Sequence, residues 1–138
     1  MKTKSLLVLS AAILAPALAS AGLHKAVEVT LDLSDGGLYA QGNLSDAYNS
    51  ADGNQLIGCG VRANAGGTAW GFCQAHDASD DAEGVVNFIM CTTSDPALLE
   101  NMQSLGLDSF LAFRADPETG ECLFVRTSHN SFYRPKHS

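Results

Sequence analysis

His76-Asp77-Ala78-Ser79-Asp80-Asp81-Ala82-Glu83 sets one imidazole, one hydroxyl and four carboxylates within eight residues, a composition that suits acid–base hydrolysis or the holding of a cation. The order of these residues serves neither well. A calcium loop of the EF-hand kind needs acidic ligands at alternate positions, a central glycine and a distant Glu, and Asp77, Asp80, Asp81 and Glu83 do not keep that spacing. No metal site is expected here. As a connection between two strands the same run keeps a loop solvated and discourages edge pairing. His76 and Asp77 stand as candidate site residues, and a small hydrolase using His76 with a neighbouring carboxylate is the enzymatic reading of the chain.

Other chemistry has weaker support. Cys59, Cys73, Cys91 and Cys122 contain no C-x-x-C pair, and the gaps between them are 13, 17 and 30 residues, which suits neither a zinc site nor a dithiol redox centre. G-x-S-x-G is missing, as are the glycine-rich phosphate loops of nucleotide-binding proteins. No cofactor is therefore expected. His24 and His137 lie near the ends of the processed chain, where catalytic precision is hard to maintain, and His129 sits beside Asn130 and Ser131 after a predicted strand. Tyr39, Tyr48, Trp70, Phe132 and Tyr133 fall at or near predicted loops and ends, where aromatic side chains can form a binding surface. Trp70 and Tyr133 join His76 and Asp77 as the candidate binding residues. The structural alternative packs Trp70 over a glycine-bearing strand and docks Phe132-Tyr133 onto the sheet.

The cysteines say where such residues would be held. Lys2 and Lys4 precede an apolar run, Leu6 to Leu14, broken only by Ser10, and Ala19-Ser20-Ala21 forms a small-residue cleavage site. Residues 1–21 thus read as a signal peptide and residues 22–138 as one disulfide-stabilised domain. A membrane anchor needs about 20 apolar residues, and this run is too short. The expected location is periplasmic or secreted after cleavage near Ala21, and four cysteines in an exported chain default to two bridges.

Three pairings are possible, and strand register favours one. Gln55 to Val61 and Ala69 to Ala75 read as strands joined by the turn-rich loop Arg62 to Thr68. A hairpin symmetric about Gly66 puts Cys59 opposite Cys73, Ile57 opposite Ala75, Val61 opposite Gly71 and Phe72 opposite Gly60. Large residues then meet small ones, and Arg62 comes beside Trp70. Cys91 is left with Cys122.

The remaining elements predict an α+β fold, a small antiparallel sheet of about five strands with one packed helix. Val27 to Leu33 alternates as a half-buried strand ended by Ser34-Asp35-Gly36-Gly37, and residues 43 to 54 read as a loop with one helical turn. Val85 to Cys91 is apolar nearly throughout and is expected at the centre of the sheet. Asp95 caps a helix with Pro96 at its first position, Leu98, Met102 and Leu105 on one face, and Gly106 past its end. Ser109 to Arg114 and Cys122 to Thr127 form a hairpin across Asp116 to Gly120.

Charge narrows the partner. Removing residues 1–21 takes away Lys2 and Lys4 and no acid, so the net charge falls from −7 to −9. Such a body repels nucleic acid and anionic membrane and favours a cationic protein or an envelope component. The basic tail from Arg126 to Lys136 folds back onto the acidic surface in the structural reading of this asymmetry.

Gly42-Asn43-Leu44-Ser45-Asp46-Ala47-Tyr48, Ile57-Gly58-Cys59, Trp70-Gly71-Phe72-Cys73, Pro96-Ala97-Leu98-Leu99-Glu100, Gly120-Glu121-Cys122 and Ser131-Phe132-Tyr133-Arg134-Pro135-Lys136 resemble an uncharacterised group of small exported four-cysteine bacterial proteins. The resemblance covers nearly the whole processed chain and implies export, bacterial origin and paired cysteines. It brings no catalytic residue and no substrate. The functional expectation is accordingly a non-enzymatic exported binding domain, with a small hydrolase and a structural envelope component as alternatives.

Overall fold

The computed structural model describes residues 25–33, 37–79 and 85–133. The expected signal peptide and cleavage site, residues 34–36, Asp80 to Gly84 and the basic residues from Arg134 lie outside the described residues. The fold is α+β with two antiparallel sheets, two helices and two disulfides. Strands β1 (Thr30–Asp32), β2 (Leu38–Asn43), β6 (Phe110–Ala115) and β7 (Cys122–Ser128) form one sheet in the order β1-β2-β6-β7. Strands β3 (Leu56–Ala63), β4 (Ala69–His76) and β5 (Phe88–Thr93) form the other, in chain order. Helix α1 (Leu44–Tyr48) follows β2, and α2 (Pro96–Gln103) follows β5. Among these residues no helix is long and apolar enough to cross a membrane.

The β3–β4 hairpin has the register expected from its cysteines. Cys59 pairs with Cys73, Ile57 with Ala75, Gly60 with Phe72, Val61 with Gly71 and Arg62 with Trp70. Gly66 and Gly67 take φ of +119° and +88°, backbone that side-chain-bearing residues rarely adopt, and Asn64 N donates to Thr68 O at 2.9 Å to close the turn. Both bridges form as the register required: Cys59–Cys73 within the hairpin, and Cys91–Cys122 between the two sheets. Beside the second bridge, Thr92 N donates to Gly120 O at 3.0 Å, so the sheets are stitched together at one corner.

The α+β fold with antiparallel strands and two disulfides is as expected, with the strands divided between two sheets and a short second helix, α1, added. β2 was missed because Leu-Tyr-Ala-Gln-Gly-Asn has no clean alternation and carries a strand glycine. Gly42 is there for space, since a Cβ would sit 3.1 Å from Val29 Cα. The strand expected over Val27 to Leu33 shortens to Thr30–Asp32, because Val27 and Val29 donate their N–H groups to the side chains of Asp46 and Gln55. The predicted central strand lies at an edge. β5 buries only Ile89 and Cys91, while Phe88 and Met90 point outward. Its apolar run therefore reflects an exposed apolar face rather than burial on both sides.

α2 begins as its sequence requires. Asp95 accepts from Ala97 N and Leu98 N, and Pro96 fills the first turn, where no intrahelical donor is needed. The face it buries is rotated from the expected one, with Leu99 and Met102 inside and Leu98 and Leu105 only partly buried. Gly71 explains how close the helix comes. A Cβ there would lie 2.5 Å from Met102 Sδ and 2.8 Å from Leu99 Cδ2, so α2 sits directly on the bare backbone of β4.

Entry into β3 is held by a surface carboxylate. Asp52 accepts from Gln55 Nε2, Asn54 N and Gln55 N at 2.8–3.1 Å, and Gln55 Oε1 accepts from Val29 N at 2.8 Å. The Gln55 side chain first, and the Asn54 amide next, lower the Asp52 pKa from 3.8 to about 2. Because the folded value lies below the unfolded one, this contribution to stability is complete above about pH 4 and is lost as pH falls through about 2. A carbon-detected NMR titration should place the Asp52 midpoint near 2 in the native chain and return it towards 3.8 in Gln55→Met. An unshifted midpoint in both proteins would refute the assignment.

Candidate protein-binding face

Side chains alternate across a strand, so the cysteine pairing decides which residues of the three-stranded sheet face solvent. Ile57, Cys73, Ala75, Ile89 and Cys91 point inward and are buried. The opposite face is laid out by the two registers in cross-strand rows: Leu56, His76 and Phe88, then Gly58, Gln74 and Met90, then Gly60, Phe72 and Thr92, and last Arg62 and Trp70. Leu56 is 42% exposed, Trp70 38%, Phe88 42% and Met90 49%, and Val85 and Val86, which precede β5, are exposed as well.

This face is ordered by its own contacts. The Arg62 guanidinium lies 5.6 Å from the Trp70 ring centroid, and Trp70 and Phe72 are tilted neighbours with centroids 6.0 Å apart. Phe72 lies flat over Gly60, where a Cβ would approach its ring to 2.8 Å. Gly58 has open space above it. The sheet below is tied on its inner side by both disulfides, so the outer side chains stand on a rigid base.

The four candidate binding residues separate. Trp70 and His76 lie on this face, at opposite ends of β4. His76 Nδ1 is 2.7 Å from the main-chain carbonyl of Asp77, which can only accept, so Nδ1 carries the proton. The bond is to the Asp77 backbone and not to its carboxylate. That carboxylate accepts from the N–H and hydroxyl of Ser79, the local closure of an Asx turn. Asp80, Asp81 and Glu83 lie outside the described residues. Tyr133 belongs elsewhere: its ring stacks on Phe110 with centroids 4.9 Å apart, and its carbonyl accepts from the buried Asn43 side chain at 2.6 Å. Lys25 N donates to Phe132 O, so Phe132 and Tyr133 are held against the four-stranded sheet.

A second concavity of about 420 Å³ is lined by Gly106 to Ser109 and by His129 to Ser131. Ser109 Oγ accepts from Gly106 N at 2.8 Å and shares a second hydrogen bond with His129 Nδ1, 2.9 Å away, whose direction follows the imidazole tautomer. Although this is a serine–histidine contact, Ser109 is fully buried. A nucleophile needs its oxygen open to substrate, and here the hydroxyl closes the turn after α2. Among the described residues, no three His, Cys, Asp or Glu side chains converge as metal ligands.

Sequence reading missed Leu56, Phe72, Phe88 and Met90 as surface residues. Parity could have found the last two. If Cys91 points into the core to reach Cys122, then Met90 and Phe88 must point the other way. Comparison of the chain with protein-family models, curated proteins and solved structures finds no match.

Proposed function

We propose that this chain is an exported, disulfide-braced, non-enzymatic binding domain that docks a cationic protein on the outer face of its three-stranded sheet. The observation that carries the reading is the apolar surface formed by Leu56, Trp70, Phe88 and Met90 on one rigid face, each more than a third exposed. Large exposed apolar side chains gathered on one sheet face, here with His76 and Gln74 between them on β4, favour an interaction surface where singly scattered ones do not. The charge supports a basic partner, because 15 acidic residues stand against 8 Lys and Arg, two of which precede the cleavage site. The signal-like N-terminus supports export, and two disulfides fit an oxidising compartment.

Immobilised protein and its Trp70→Ala/Met90→Ser variant test this with envelope and culture-medium fractions at low and high salt. A basic protein should be retained by the native face at low salt and released at high salt. The double variant should bind it about 30-fold more weakly or worse, the scale of losing an aromatic anchor. Equal retention by the variant, or retention indifferent to salt, would sink the proposal.

A further inference from the structure

Sheet edges invite pairing with other strands unless they are blunted, and among the described residues two of the four edges here are blunted and a third is tied at one point. β1 is only three residues long, and the N–H groups just before it go to the side chains of Asp46 and Gln55. β5 is tied at one point, where Thr92 N donates to Gly120 O. β7 is covered by α2, whose Asn101 side chain donates to Val125 O at 3.3 Å. β3 is backed by α1 and α2, but among the described residues nothing hydrogen-bonds to its outward side. Its eight residues, Leu56–Ala63, pair with β4 in unbroken register, contain no proline and no lysine, and carry Arg62 as their one charge.

The direction of its open backbone groups follows from the hairpin. The Cys59 and Cys73 Cα atoms are 4.0 Å apart, the close approach of a pair that exchanges no backbone hydrogen bonds. Asn64 N donates to Thr68 O, which places the even-numbered residues of β3 in the bonded pairs. The N–H and C=O groups of Ile57, Cys59, Val61 and Ala63 therefore point away from β4. None of them has a partner among the described residues.

We infer that β3 pairs antiparallel with β3 of a second copy of this chain, joining the two three-stranded sheets into one of six strands. These four residues are symmetric about Gly60, so a two-fold axis there pairs Cys59 with Val61 and Ile57 with Ala63 and uses all of their outward groups. On the outer face this register sets Gly60 against its own copy, a close pair with no side chain of its own and with the Phe72 ring of each hairpin beside it. It sets Arg62 against Gly58 of the second copy, where nothing lies within 4 Å of a built Cβ. Shifting the axis to Val61 would drive Arg62 into the Phe72 ring that covers Gly60, and shifting it to Arg62 would oppose two like charges. The paired sheet carries two Trp70 faces on one side. The pairing does not depend on what those faces bind.

Light scattering and sedimentation from micromolar to millimolar concentration, with amide exchange, test this on the disulfide-intact protein. The native chain should show a monomer–dimer equilibrium, with protection of the Cys59, Val61 and Ala63 amides rising with concentration. Val61→Pro removes an outward donor without touching a β3–β4 hydrogen bond and should leave a monomer. Gly58→Arg places a like charge opposite Arg62 twice per dimer and should weaken association by about 2- to 30-fold, while Gly58→Glu should strengthen it. A native chain that stays monomeric throughout, or one whose β3 amides are protected only by a bound peptide, would overturn the inference. A dimer that responds alike to Gly58→Arg and Gly58→Glu would overturn it as well.

Discussion

The Cys91→Ala/Cys122→Ala protein is expected to lose about 3–4 kcal/mol of stability, the scale of opening a loop that spans 31 residues. Cys91 and Cys122 are 1% and 7% exposed, so truncating both also removes buried atoms from the joint between the sheets. Little else does the same job there, since the sheets otherwise meet at that corner through the single Thr92–Glu121 bridge. Cys59→Ala/Cys73→Ala is expected to cost less. Its loop spans 14 residues, and the hairpin keeps eight paired positions without the bridge. Urea unfolding of both double variants under identical non-reducing conditions decides the matter. If the hairpin variant proves the weaker protein, the inter-sheet bridge is not the main covalent brace.

Phe113→Ala is expected to cost about 3–5 kcal/mol, the usual scale for truncating a buried phenylalanine. Phe113 is fully buried in β6, between Ala40 of β2 and Val125 of β7, and is among the largest fully buried side chains. Small neighbours leave it as the filler of that layer. Ala40 has no side chain that could extend into the vacated volume, and strands paired on both sides cannot move in to collapse it. For a domain whose total stability is of order 5–15 kcal/mol, the loss is a large fraction. The urea midpoint should fall with the m-value unchanged. A loss below about 1 kcal/mol would mean that the layer repacks and that Phe113 does not set its spacing.

The two bridges and the β3–β4 register were readable because a strand repeats every two residues. One pairing, Cys59 with Cys73, therefore dictates every other pair in the hairpin. α2 was readable at its start for a similar local reason: Asp95 and Pro96 act through the first turn alone. Its buried face was less so, since Leu98, Leu99, Met102 and Leu105 offer two overlapping apolar stripes and the bare backbone at Gly71 selects one. β2 carried too little alternation to be seen at all. It is a strand because β1 and β6 flank it on both sides.

For the candidate site the division is similar. Trp70 and its contact with Arg62 follow from the hairpin, whereas the apolar run Val85 to Cys91 predicts a central strand and leaves the exposure of Phe88 and Met90 unread, because such a run says nothing about which side is covered. His76 and Asp77 adjoin a carboxylate-rich run, yet adjacency in the chain sends their side chains to different partners, the imidazole to a carbonyl and the carboxylate to Ser79. By itself, then, the sequence determined local periodicity, cap chemistry and the cysteine pairing that periodicity implies. Tertiary structure alone decided that the strands divide into two sheets and that, among the described residues, one apolar face and the outward side of β3 are left without a covering element. Those outcomes depend on which elements lie beside one another, and no property of a single segment encodes its neighbours.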